Sequence, residues 1–198
     1  MTRLQEQLIQ EPVDFDRRSF RDALASFPTG VTIITSRSPA GELVGITANS
    51  FGSVSLDPPL VLFSIARKAY SLQVFLGAPA FAVSVLASDQ GAISNRFAVS
   101  SGEKWEGTPY SIASNGCPII DGALASFECD RHAHYDGGDH VILIGRVRHF
   151  ERLATGEPLV FSRGAYRELA PNTDFPDYTK ADPKVLPPIN GFDPWTSG

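Results

Sequence analysis

The sequence predicts a β-rich α+β protein, a closed or partly closed barrel with short flanking helices. Two observations carry this. At least six short runs are rich in β-branched and aromatic residues and are separated by Gly, Pro, Asn, Asp and Ser clusters. The two or three helical segments do not alternate regularly with these runs, which argues against a doubly wound sheet.

Taken in order, residues 14–27 read as a helix. Phe20, Ala23, Leu24 and Phe27 recur at i, i+3, i+4 and i+7 and mark one apolar face. Asp14 and Asp16 suit its N-terminal end, where backbone N–H groups lack partners, and Pro28 and Gly30 stop it. Residues 31–36 (VTIITS) form a short β-branched strand, and 38–41 (SPAG) a turn. Residues 43–56 read as one longer strand region, with Gly45 and Gly52 as bulges or points of close approach. Asp57-Pro58-Pro59 ends it. The apolar run 60–66 (LVLFSIA) predicts a strand buried on both faces. A short helix over 70–76, a strand over 81–87 and a helix over 89–98 follow, then strands over 123–130, 140–150 and 158–162. Residues 171–198 differ, with six of the 15 prolines and the aromatic residues Phe175, Tyr178, Phe192 and Trp195. They are expected to form an extended arm beside a domain spanning 1–170.

Composition narrows the function. The chain has 198 residues and a net charge of −5, with no Lys/Arg run, which argues against a nucleic-acid binder. The longest chargeless stretch, 69–88, is broken by Gly77-Ala78-Pro79, so no membrane span is expected. The N-terminus lacks the apolar segment of a secretion signal, so a cytoplasmic protein with reduced Cys117 and Cys129 is expected. Dinucleotide-fold, P-loop, zinc-protease and serine-hydrolase motifs are missing.

Three segments carry chemistry. Residues 45–55 (GITANSFGSVS) are dense in small hydroxyl residues, a wall on which a flat heteroaromatic ring could lie close to the backbone; a Ser/Thr-rich edge strand is the plainer reading. Arg67, Lys68, Tyr70 and Ser71 follow a buried strand at a strand-to-helix junction, which suits a phosphate; a solvated basic turn is the alternative. Residues 132–140 (HAHYDGGDH) offer either a mononuclear metal site on His132, His134 and His140, or a glycine loop that sets His140 at a strand start on a barrel rim.

In order along the chain, six motifs resemble the flavin reductase-like family: Phe27 to Thr35 (F-x-x-G-V-x-x-x-T), Gly45 to Phe51, Ser55 to Leu60, Asn95 to Ala98, Gly138 to Val147 (G-D-H-x-x-x-x-G-x-V) and Leu159 to Leu169. More narrowly, the chain resembles reductase components of two-component flavin-dependent monooxygenases such as the 4-hydroxyphenylacetate and phenol hydroxylase systems. The resemblance implies a split β-barrel homodimer that binds FMN or FAD and moves a hydride from NADH or NADPH to flavin for a separate oxygenase. It implies that Thr47, Ala48, Asn49, Ser50 and Phe51 line the ring and ribityl chain, and that Ser53, Ser64, Arg67 and Lys68 meet the phosphate or ribityl groups. Thr29 would face the ring edge, and His140, Phe97 and Tyr166 would shape the nicotinamide side. The family often has Ser where Ala69 stands, a place Tyr70 or Ser71 could take. Other readings are a non-catalytic flavin carrier or electron-transfer module, and the metal enzyme above.

Overall fold

The computed structural model describes residues 15–100 and 102–170. The arm expected over 171–198 and the first 14 residues lie outside them. Helix α1 (Arg17–Leu24) precedes β1 (Thr29–Gly30), β2 (Thr32–Arg37), β3 (Leu43–Ala48), β4 (Gly52–Leu56) and β5 (Pro59–Ala66). Helix α2 (Leu72–Gly77) leads to β6 (Ala80–Val85), and a 3-10 turn (Ser88–Gln90) opens α3 (Gly91–Ala98). Then come β7 (Tyr110–Ile112), β8 (Pro118–Ile120), β9 (Ala125–Gly137), β10 (His140–Arg152), β11 (Val160–Ser162) and β12 (Ala165–Arg167).

Seven strands form one antiparallel sheet in the order β3-β2-β6-β9-β10-β5-β4. Its edge strands, β3 and β4, are consecutive in the chain. Three residues, Asn49 to Phe51, join them and can span at most about 14 Å. The sheet must therefore curl until its edges meet. The closure is made at a seam between β3 and β5, beyond the end of β4, where the Ser50 hydroxyl accepts from the Ser64 N–H at 2.9 Å and donates to the Ser64 carbonyl at 3.3 Å. The strand region expected over 43–56 is thus two strands on opposite edges, because the chain turns a corner between them.

Side-chain alternation fills the barrel. Ile34, Val44, Phe63, Phe81, Val83 and Leu143 point inward and are buried. Phe63 meets Phe75 and Phe81 edge-on at 5.5 and 5.1 Å. Val31, Ile33, Leu86, Phe97, Ile120 and Leu159 form a second core on the outer side. Burial on both faces therefore belongs to β2 and β6 and not, as expected, to residues 60–66: Val61, Phe63 and Ile65 of β5 are buried, while Leu62 and Ser64 are only half-buried. Among the described residues no helix covers Ser64 and Ala66, which line a cavity.

Helix α1 starts where Asp16 caps it, accepting from the Ser19 N–H at 2.8 Å and the Arg18 N–H at 3.3 Å. It is shorter than the expected 14–27, and its apolar face is not buried in this chain: Phe20, Leu24 and Phe27 are all exposed. The β9–β10 hairpin is longer than its sequence suggested. Residues 132–137 continue β9 instead of forming a loop, and the turn is confined to Gly138-Asp139. The β7–β8 hairpin had no counterpart in the sequence reading, because its strands are only three residues each.

Both cysteines are free and buried. Burial pushes the Cys117 thiol up to about 11 and the Cys129 thiol to about 12, so neither forms a thiolate near neutral pH. Neither is expected to react with a thiol-specific disulfide reagent at pH 8 in the native protein; both should react once guanidinium unfolds it.

Candidate functional site

A cavity of about 650 Å³ lies against the outer side of the seam. Strand register shows how its walls arise. Gly45 and Thr47 share the outer face of β3 with Ile33 of β2, under Phe97 of α3. Ser64 and Ala66 are on the outer face of β5, and His140 of β10 pairs with Ala66 and faces the same way. Thr47, Ala48, Asn49, Ser50, Ser64 and His140 all line the cavity.

The exposed edge of β3 matters as much as its side chains. In an antiparallel strand the backbone N–H and C=O groups of alternate residues turn to the same edge. The carbonyls of Leu43 and Gly45 accept from Trp105 Nε1 at 2.9 Å and Lys104 Nζ at 3.1 Å, so these residues turn to the edge away from β2. Thr47 is next in that series and turns its peptide groups the same way. Its hydroxyl donates to the Ser94 carbonyl at 2.6 Å, which ties β3 to α3.

Gly45 is where the wall tolerates no side chain. A Cβ there would lie 2.5 Å from Phe97 Cε1. Phe97 is held edge-on to Trp105 with ring centroids 5.0 Å apart. Lys104 also donates to the Phe97 carbonyl at 3.3 Å, and burial strips its ammonium of water and holds it below the usual lysine value. Lys104 and Trp105 line the cavity but were missed in the sequence. Their one signal is a charged–aromatic pair between Gly102 and Gly107, with no periodicity to give it a face.

His140 stands at the start of β10, held by its turn. Gly138 has φ +75°, a conformation that favours glycine. Arg67 clamps the turn from the end of β5: its Nε donates to the Gly138 carbonyl at 2.7 Å, its guanidinium pairs with Asp136 at 2.9 Å, and its backbone N–H donates to the Asp139 carbonyl at 2.9 Å. The Gly138 N–H and Arg67 hold the Asp136 carboxyl below the usual aspartate value. His140 Nδ1 lies 2.7 Å from Asp139 Oδ1, and this contact holds the Asp139 carboxyl low. An ionised Asp139 accepts the Nδ1 proton and leaves Nε2 for a ligand.

The remaining sequence-predicted residues separate. Lys68 and Phe97 line the cavity, as do Tyr70 and Ser71. Arg67 is spent on the hairpin turn and is not a lining residue. Ser53 is exposed on β4, and Phe51 packs on Phe127 with centroids 5.6 Å apart. The Tyr166 hydroxyl lies 2.8 Å from Ser94 Oγ and 2.9 Å from Asn95 Oδ1, behind the Thr47 wall. Thr29 lines a neighbouring cleft.

The metal reading fails on register. His134 pairs with Leu143 and His140 with Gly137, which sets the two imidazoles on opposite faces of the sheet, and His132 sits at a bulge in β9. Among the described residues no group of three His, Cys, Asp or Glu side chains converges as metal ligands do.

Comparison with known proteins bears on the fold and the family. Residues 24–170 match the family described as flavin reductase like domain. The FMN reductase (NADH) SmoA of Agrobacterium fabrum is 46% identical over 149 residues, covering 75% of this chain and 84% of that protein. The reductase subunit HsaB of a Rhodococcus jostii flavin-dependent monooxygenase is 35% identical, covering 91% and 92%. The NADH:FAD oxidoreductase SgcE6 of Streptomyces globisporus, solved with NAD and FAD fragments, superposes with a TM-score of 0.77 at 41% identity, covering 80% of this chain and 96% of that one. With its strand-rich split barrel and a family match over most of its length, the chain belongs to the flavin reductase-like family.

Proposed function

We propose that this chain is an NAD(P)H:flavin oxidoreductase that supplies reduced FMN or FAD to a separate oxygenase. The observation that carries the reading is the cavity at the seam, with a hydroxyl-rich strand edge on one side and a rim imidazole, His140, on the other.

The residues fit a flavin. The β3 edge offers peptide groups at Thr47, and the lack of a side chain at Gly45 lets Phe97 close one end of the wall. Asn49, Ser50 and Ser64 add polar groups for ring carbonyls and ribityl hydroxyls. Lys68, Tyr70, Ser71 and Lys104 cluster toward the other end and suit a phosphate. Bound together, flavin supplies a hydride acceptor at N5 and the dihydronicotinamide a donor at C4, so two electrons and one hydrogen leave the nicotinamide as NAD(P)⁺ forms. The chain's own tasks are to stack the two rings, exclude water between them and steady the negative charge that grows on the acceptor. His140 serves the nicotinamide side through Nε2. NADH is the donor named for both SmoA and SgcE6.

Two further parts of the proposal concern assembly and location. The exposed Phe20, Leu24 and Phe27 support a homodimer that covers them. Free cysteines suit a reducing cytoplasm, and no described helix is long and apolar enough to cross a membrane.

The test is NADH oxidation by the purified full chain, followed at 340 nm with and without FMN or FAD. Turnover is expected only with flavin present and without any aromatic substrate. Flavin binding with no NADH or NADPH oxidation would make the chain a carrier and overturn the enzymatic reading.

A further inference from the structure

The seam cavity extends past the residues that a flavin ring and one phosphate would occupy. The sheet order makes β3 and β5 antiparallel. From the Ser50–Ser64 contact, β3 runs back toward Leu43 while β5 runs on toward Ser71. Thr47, Asn49 and Ser50 therefore lie toward one end of the cavity. Farther along lie Lys68, on the chain after β5, and Lys104, bonded to the Gly45 carbonyl. Beyond them the lining continues through Leu43 and Glu42 on one side and Tyr70 on the other. Gly45 and Glu42 are three residues apart, about 10 Å of extended chain.

Three observations bear on what fills this far end. First, Lys104 donates to the carbonyls of Gly45 and Phe97, which leaves one N–H of its ammonium for an anion in the cavity. Among the described residues neither Lys68 nor Lys104 forms an ion pair. Two cations serve a phosphate or a diphosphate and do not choose between them. Second, the lining past the lysines includes a carboxylate, Glu42. It repels a terminal phosphate and only accepts hydrogen bonds, so the group beyond the phosphate is one that donates. Third, the ring of Tyr70 is 76% exposed at the cavity rim. Among the described residues it packs on no other aromatic ring, whereas Phe97, Trp105 and Tyr110 pack on one another. An aromatic face left in water is a platform for a planar base.

A diphosphate, then hydrogen-bond donors, then a planar base describe the adenylate half of FAD. FMN ends at its phosphate and would leave Glu42 and Tyr70 without a contact. We propose that the far end of the cavity binds the adenylate of FAD and that the chain prefers FAD to FMN. Adenine stacks on the Tyr70 ring, and Glu42 accepts from a ribose hydroxyl or the adenine amino group. This rests on the flavin-reductase reading above.

The experiment titrates the full chain with FAD and with FMN, in the absence of NADH, following flavin fluorescence. FAD is expected to bind about tenfold more tightly than FMN. Tyr70→Ser should erase that preference, weakening FAD about tenfold and FMN by less than about twofold, while Tyr70→Phe, which keeps the ring, should retain it. Glu42→Gln should weaken FAD about threefold and leave FMN unchanged. Equal affinity of the unmodified chain for the two flavins overturns the proposal, as does an equal loss of both in Tyr70→Ser or a loss of the preference in Tyr70→Phe. With FMN as acceptor, a higher KM for NADH in Tyr70→Ser also overturns it, because the far end would then hold the hydride donor. FAD preference in binding without NADH or NADPH oxidation would overturn the flavin-reductase reading alone. Oxidation supported equally by FMN and FAD, with equal affinities, would overturn this proposal alone.

Discussion

Replacing His140 by alanine is expected to raise the KM for NADH by about tenfold and to lower kcat/KM by about a hundredfold, with the flavin Kd changed by less than about twofold. The split follows from where the imidazole stands. It lies on the rim of the cavity, with 44% of its side chain exposed, and its ring is not part of the clamp that Arg67 places on the turn. The backbone of β10 keeps its pairing with Ala66 and Gly137 whatever the side chain. The fold and the flavin wall on β3 should therefore survive the substitution, while the group that meets the nicotinamide is lost. Asp139→Asn keeps an oxygen near Nδ1 and removes the charge that orders it. It should produce a smaller loss of the same kind, about threefold in kcat/KM. Steady-state kinetics with NADH, paired with a flavin-quenching titration, separates the two ligands. Equal losses for flavin and NADH would show that His140 acts through the structure.

Gly45→Ala should damage stability and flavin binding together. The new Cβ would lie 2.5 and 2.7 Å from two Phe97 ring carbons. Phe97 is 1% exposed and braced by Trp105, so the ring has nowhere to swing. Relief requires α3 to move off β3, which breaks the Lys104 and Thr47 bonds that join them. Overpacking of this kind costs about 1–3 kcal/mol, a fall of roughly 5 °C in Tm for a chain of this size. Because the displaced strand is the proposed flavin wall, flavin affinity should weaken by more than about tenfold. Gly77→Ala is the control, since nothing lies within 4 Å of a Cβ there and its φ is not positive. Thermal melts and flavin titrations of both variants check the contrast; a Gly45→Ala protein as stable as the parent would remove the close-approach argument.

Much of this was open to reading from the residues. The β-branched run of β2, the Pro-Pro stop before β5 and the glycine turn before His140 are local signals, and each produced an element where it was expected. The hydroxyl-rich segment after Gly45 was recognisable because small polar residues are unusual in a strand that borders a core. The contacts that complete the cavity were not recognisable. Lys104 meets the carbonyl of Gly45 across 59 residues, and Arg67 meets Gly138 across 71. Nothing in the neighbourhood of Arg67 distinguishes a clamp on a distant turn from a phosphate ligand, since both need an exposed cation at a strand end. The exposure of the apolar face of α1 was not legible for a related reason: a period of 3.6 reports that a face is apolar, not what covers it.

The sequence by itself determined the strand-rich class, the turns and the polar strand at the heart of the site, because backbone preference and side-chain alternation act over a few residues. The tertiary structure alone decided that β3 and β4 become opposite edges of one sheet, that the closure of β3 on β5 leaves a cavity rimmed by His140, and that Glu42 and Tyr70 share its far end. These outcomes depend on the curl and register of seven strands, set by many weak contacts between residues far apart in the chain, and no short window of sequence carries that sum.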